Sequence, residues 1–319
     1  MKHRLLLLAA ATLSAHDLYL MPEQFVTKAA TQLKVVFQNG DEFPEASSPT
    51  KPERLRNTRL VSKAGKAEFQ NITAEAKRTT ATVHVPGPGL AILTANTIPN
   101  FIELDAAKFR SYLEHENLTE TIKWRDANGE LKKPGRERYS KYVKSMILVE
   151  TTDNFYQTNT GLTIEIIPEA DPYSLRPGQL LPVQVLFRGK PAVDVAVESA
   201  WLEHGKAKMD NIGRTDKQGR IQIPIKSIGP HRLHAIVMER CAEPKVADWE
   251  SFWASLTFGI RHTSRDSYRQ GSHSACPLTG EHGDRKPVMG DPTRSRMRLS
   301  RIKSRTASDR FAYPRRSIC

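Results

Sequence analysis

Apolar and polar residues alternate in short runs along most of this chain, with turn residues between the runs. From residue 17 to about 104 the runs are strand-like. Leu33-Lys34-Val35-Val36-Phe37 is followed by the turn pair Asn39-Gly40. Thr80-Ala81-Thr82-Val83-His84-Val85 stops at Pro86-Gly87-Pro88-Gly89 before residues 90–94 resume. Several short strands at regular turn spacing predict an antiparallel β-sandwich over residues 16–104.

The pattern then changes. Residues 104–116 read as a helix, with Leu104, Ala107, Phe109 and Leu113 near one face and Lys108, Arg110, Glu114 and Glu116 elsewhere. Residues 119–125 add a further turn or two. Gly129 and Pro134-Gly135 punctuate. Residues 136–149 form a second helix candidate, since Tyr139, Tyr142, Val143 and Met146 fall at helical spacing. Residues 105–150 are therefore expected to be a helical connector.

Beyond a polar linker at 151–161, alternation returns in residues 162–167, 183–187 and 192–201. Val193, Val195 and Val197 interleave there with Asp194, Ala196 and Glu198. Thr215-Asp216-Lys217-Gln218-Gly219 is a hairpin turn that opens onto Ile221, Ile223 and Ile225, and residues 233–238 and 253–258 complete the set. A second antiparallel sandwich is expected over residues 151–260. The fold class is thus mainly β: two Ig-like or prealbumin-like sandwiches joined by a helical insert.

Both ends of the chain differ from this body. Lys2, His3 and Arg4 precede a Leu/Ala run at residues 5–11, and Ser14-Ala15 stand before His16-Asp17. Basic residues, a short apolar stretch and small residues in that order are a secretory signal peptide, residues 1–15, too short to span a bilayer as a helix. No other stretch approaches the roughly 18 consecutive apolar residues of a membrane helix. A periplasmic or secreted chain without a transmembrane helix is expected. At the other end, residues 261–319 lack sustained periodicity and are rich in Ser, Arg, Gly and Pro. Such a tail buries too little apolar surface to offset the entropy of ordering it, so disorder is expected. A basic appendage and a reading-frame slip both account for the abrupt change near Gly259.

Charge follows the same division. The net charge is +13, yet the tail alone holds 14 Lys/Arg against 5 Asp/Glu and the signal adds Lys2 and Arg4. Residues 16–260 carry 32 positive against 30 negative groups, which removes the case for nucleic-acid binding. Of three cysteines only Cys241 lies in the body, so no internal disulfide can staple it.

Cleavage after Ala15 would leave His16 as the first residue, with an α-amine and an imidazole that chelate a transition metal through two nitrogens. Asp41 and Glu42 follow a turn glycine and are candidate carboxylate ligands. His84, His115, His204, His231 and His234 show no ligand spacing. His231 and His234, three apart on a strand, face opposite sides. Arg136, Glu137 and Arg138, with Glu169 and Asp171, suggest a structural charge network that clamps the insert onto the second sandwich. Trp249 and Trp253 fit packing. There is no G-x-S-x-G, H-E-x-x-H, phosphate loop or paired-Cys motif, so no catalytic residue is assigned and an enzyme is not expected.

Residues 134–141 (PGRERYSK), 168–173 (PEADPY) and 248–258 (DWESFWASLTF) closely resemble the bacterial exported family called domain of unknown function 4198. The opening His16-Asp17-Leu18-Tyr19-Leu20-Met21-Pro22 and Asn39-Gly40-Asp41-Glu42-Phe43-Pro44 are similar to it as well. Members usually end a few residues beyond the position of Phe258, a pattern from which the tail departs. The resemblance implies a periplasmic component of nickel or cobalt uptake, with a metal ion or an envelope transport component as partner. Gly189-Lys190-Pro191 followed by residues 215–219 resembles a prealbumin-like or carboxypeptidase-regulatory-like sandwich, a module that mostly binds or supports. The expected function is an exported binding protein handling nickel or cobalt. The alternative is a structural or partner-binding envelope module without metal chemistry.

Overall fold

The computed structural model of the protein describes residues 16–40, 43–45 and 47–261. The expected signal peptide, the candidate ligands Asp41 and Glu42, and the tail from residue 262 lie outside the described residues. The chain is mainly β, with strands in three sheets and two α-helices among the described residues.

The strand Gly135–Val149 organises the molecule. It pairs antiparallel with Gly89–Thr97 and Asn100–Leu104, and parallel with Trp249–Ile260 from Glu137↔Trp249 to Ser145↔Thr257. These strands are the middle of a ten-stranded sheet. It extends one way through Gly229–Arg240 and Ala196–Glu203 to the edge Lys206–Arg214, and the other way through Leu55–Ser62 to Gly65–Glu68. The sheet thus draws strands from residues 16–104, 105–150 and 151–260 alike. Its parallel pairings also make it mixed, where purely antiparallel sandwiches were expected.

A smaller sheet lies on each face of the large one. Leu18–Pro22, Gln32–Asn39, Thr79–His84 and Gln70–Ala74 form the first. Its Leu20, Val35 and Phe37 share a core with Leu93, Val143 and Ile147 of the large sheet. Ile164–Pro168, Leu180–Phe187, Lys190–Pro191 and Arg220–Pro224 form the second. Its Ile164, Ile166 and Val183 pack on Ile92, Met146, Leu148 and Leu256. Neighbouring residues of one strand enter opposite cores because strand side chains alternate. Each large apolar side chain buried there is worth roughly 1.5–3 kcal/mol over exposure.

Residues 136–149, expected to be helical, are therefore strand. The cause is burial on both faces. Positions of either parity must then be apolar, so Tyr139, Tyr142, Val143 and Met146 also fall three and four apart. Helix α1, Ala106–His115, lies within the expected residues 104–116, and α2 spans Thr119–Ala127. The Asp105 carboxylate caps α1 by accepting from Lys108 N at 2.9 Å. Phe109 and Leu113 of α1 are buried with Trp249 and Trp253. At Gly135 a Cβ would collide with the Phe109 ring, so glycine there lets α1 lie close to the central strand.

Candidate functional site

The start of the described chain is sewn into the fold. Leu18 pairs with Asn39, and Gly40 N donates to the Asp17 carbonyl at 3.0 Å, which extends the ladder to the turn. Ser255 Oγ donates to Leu18 O at 2.9 Å and Thr257 Oγ1 to Leu20 O at 2.5 Å, fastening this strand across the large sheet. The Lys141 ammonium, on a residue only 6% exposed, donates to the His16 carbonyl. It also lies 5.2 Å from the Trp253 ring centre and 5.6 Å from that of Tyr139.

Asp17 enters a buried charge cluster drawn from four distant segments. Arg232, 1% exposed, reaches Asp17 Oδ2 with Nη1 and Glu198 Oε1 with Nη2, each at 2.6 Å. Its guanidinium lies 5.3 Å from the Tyr19 ring centre. His234 holds Nδ1 3.5 Å from Asp17 Oδ1 and Nε2 3.6 Å from Glu116 Oε2, just past the end of α1. Burial pushes the Asp17 carboxyl up, but His234, Arg232 and Lys141 outweigh it and hold the group below the usual range. Burial likewise pulls His234 down, and Asp17 with Glu116 more than reverses this, so its pKa is raised. Glu198 is raised, chiefly by burial. His234 Nε2 and Arg232 Nε are buried without a hydrogen-bond partner.

Half-buried His16 stands beside this cluster on the wall of a cavity of about 350 Å³, shared with Asn39, Lys51, Arg54, Asn100 and Lys141. Asn100 Nδ2 donates to Tyr139 Oη at 2.7 Å and Arg54 Nη2 to Ile98 O at 3.1 Å, so two walls are braced. Among the described residues no group of three or more His, Cys, Asp or Glu is arranged to hold a metal ion. Asp17 is engaged by Arg232 and His234. The candidate ligands Asp41 and Glu42 lie outside the described residues.

The expected charge network is not brought together as one unit. Arg136 forks onto Asp248, Nη2 to Oδ1 at 2.8 Å. Arg138 pairs with Glu250 and Glu243, both at 2.8 Å. Glu169 pairs with Arg220 at 2.8 Å, and Asp171 caps the turn Pro172–Ser174 through Tyr173 N at 2.9 Å. Alternation explains this: Arg136 and Arg138 point away from Glu137. That carboxyl is buried and accepts from Tyr112 Oη at 3.0 Å and from the Ser251 hydroxyl. Burial raises its pKa to about 7.

No motif or spacing in the sequence marks Asp17, Glu116, Glu198 and Arg232 as one cluster. The available signal was a charge at an inward position within an apolar strand, Glu198 beside Val197 and Arg232 beside Leu233. His231 and His234 do face opposite ways. His231 stacks on Phe258 in the second core and burial lowers its pKa to about 4, whereas His234 contacts Asp17 and Trp253.

The model of the family described as Domain of unknown function (DUF4198) matches residues 13–239. No curated protein matches the chain. Among solved structures, the D0-D1 domain of Intimin is 14% identical, with 76% of this chain and 97% of that one covered at a TM-score of 0.19. The adhesin InvE of Yersinia pseudotuberculosis is 14% identical, with 76% and 58% covered at 0.19. Three N-terminal domains of the Highly Immunogenic Outer Capsid protein of bacteriophage RB49 are 13% identical, with 76% and 59% covered at 0.16. Superpositions this loose carry no argument. No helix among the described residues is long and apolar enough to cross a membrane.

Proposed function

We propose a function for a chain that belongs to the DUF4198 family, whose description assigns none: an exported bacterial binding protein whose cargo is a divalent transition metal, nickel or cobalt. The observation that carries this reading is the bond from Gly40 N to the Asp17 carbonyl, 3.0 Å long, which closes the ladder begun at Leu18↔Asn39. It joins the two segments that hold His16 on one side and Asp41-Glu42 on the other. His16 already borders the cavity.

On export and cleavage before His16, its α-amine and imidazole would supply two nitrogens, and the turn would supply carboxylate oxygens. Imidazole and amine nitrogens with oxygen partners suit nickel and cobalt. The Asp17–Arg232–His234 cluster serves this site by fixing the backbone that carries His16, not by ligating. Isothermal titration of the processed protein with Ni²⁺ tests the reading. His16→Ala should weaken binding by at least about tenfold, roughly 1.4 kcal/mol. One extra alanine ahead of His16 should do so too, because it moves the amine while keeping the imidazole. Equal affinity in all three proteins, or none in any, would overturn the reading.

A further inference from the structure

The ten-stranded sheet ends in two unlike edges. Gly65–Glu68 is four residues long, whereas Lys206–Arg214 is nine residues long, free of proline and exposed over most of its length. A short edge strand protects a sheet from joining another, and a long one offers a row of N–H and C=O groups to a further strand. Among the described residues only Ala196–Glu203 pairs with Lys206–Arg214, so its outer side is open. The register runs without a break from Lys206 to Asn211, before a bulge that leaves Ile212 unopposed. Beside this edge lies an apolar groove of about 360 Å³, lined by Phe43, Ala200, Leu202, Ala207 and Met209. Met209 is 51% exposed, and its sulfur accepts from Arg232 Nη2 at 3.7 Å, so this face of the strand borders the cluster around Asp17. Lys208 and Asp210 project from the opposite face, where Lys208 stands across from Trp201. Both are exposed, and neither enters an ion pair among the described residues.

We propose that the occupant of this edge is a second copy of this chain, paired antiparallel through residues 207–211 with Met209 facing Met209. Charge complementarity selects both the partner and the register. In an antiparallel ladder, opposed residues turn their N–H and C=O groups the same way, both toward the partner strand or both away from it. In a symmetric pair of identical strands one residue must therefore face its own copy. With Lys208 or Asp210 at that centre, like charges meet directly. Ala207 there sets Lys206 against Lys208, and Asn211 sets Lys208 against Arg214. Met209 alone avoids every such clash and places Lys208 across from Asp210 twice. The same register brings the Met209 of the second copy onto the groove face, since opposed side chains lie on one side of the sheet. Apolar surface is then covered on one face and charge is paired on the other, and the two large sheets become one.

Analytical ultracentrifugation of the processed full chain tests this, in reducing buffer so that cysteine cross-links do not enter the result. Loading from about 1 to about 100 µM covers the weak association expected of a strand-sized interface. The expected result is a monomer–dimer equilibrium that Lys208→Asp or Asp210→Lys, each alone, weakens at least about tenfold. Mixing those two variants should restore a dimer, because a chain with the first change meets a chain with the second through two opposite-charge pairs. The double exchange Lys208→Asp/Asp210→Lys should dimerise as the wild type does. A wild type that stays monomeric throughout would overturn the proposal and leave the edge for a different chain. A dimer that neither single variant weakens would overturn it as well. So would single variants that lose the dimer and do not recover it on mixing, since charge pairing carries the register.

Discussion

Lys144 and Glu165 meet at 3.0 Å on one face of the large sheet, while Asp17, Glu198, Arg232 and His234 gather on the other. The first assembly is closed. Both side chains are 1% exposed, and Lys144 also donates to Ile166 O at 3.2 Å. Glu165 accepts from Thr160 N, Thr160 Oγ1 and Gly161 N, all within 3.2 Å. Burial lowers the Lys144 pKa against the pull of Glu165. The second assembly is open by comparison, with His234 Nε2 and Arg232 Nε buried without a hydrogen bond and two of its ion pairs stretched to 3.5 and 3.6 Å. A satisfied pair pins two layers together. A looser cluster that takes in Asp17 has a different part in the proposed reading, where it fixes the backbone beside His16.

That contrast breaks most visibly at the closed pair. Glu165→Ala leaves Lys144 buried alone and should cost about 3–5 kcal/mol in urea unfolding, whereas Lys144→Met with Glu165→Leu should recover most of the loss. If the single substitution is benign, the pair is not the clamp described.

The next largest effect concerns a carboxyl outside both assemblies, Glu137. Its folded pKa of about 7 exceeds the ordinary value of 4.5, so the folded state holds the proton more tightly. Its contribution to stability is full below about pH 4.5 and is lost as pH rises through about 7. Glu137→Gln, which keeps the Tyr112 and Ser251 contacts, should gain on the wild type by about 3 kcal/mol between those limits and level off above. His231 works oppositely. Lowered to about 4, its contribution is present above the ordinary value of 6.5 and is lost as pH falls through 4. Denaturant midpoints of both proteins across pH 4–8 check the difference, and parallel curves would contradict it.

At the open cluster Asp17→Asn should cost less, about 2 kcal/mol, because Glu198 still faces Arg232. The same change should weaken Ni²⁺ binding by freeing the backbone that carries His16. Loss of stability with unchanged nickel affinity would sever the two roles. The smallest effect belongs to the expected network. Arg220→Ala removes a pair with Glu169 whose side chains are 48% and 30% exposed, and should cost under about 1 kcal/mol by thermal melting.

What was legible in the chain followed from how many faces an element buries. Ile221 and Ile223 of the strand Arg220–Pro224 alternate because one face is apolar, and they read directly as strand. The alternation from Val193 misled, because Val193 and Asp194 form an exposed turn and the strand starts at Ala196. The helix at 106–115 showed its stripe through Phe109 and Leu113. The strand Gly135–Val149 did not, because both faces are buried and carry Lys141, Lys144 and Glu137 among apolar residues. Histidine and carboxylate positions near His16 were visible as residue types. Their company was not, since Asp17, Glu116, Glu198 and Arg232 converge only through sheet pairing across more than 200 positions.

Anomalous diffraction at the nickel edge, from crystals of the processed protein grown with Ni²⁺, tests the central claim most directly. The account predicts one strong peak on the cavity wall within bonding distance of the His16 nitrogens. A nickel peak elsewhere on the molecule with none beside His16, or no peak at all, would contradict it.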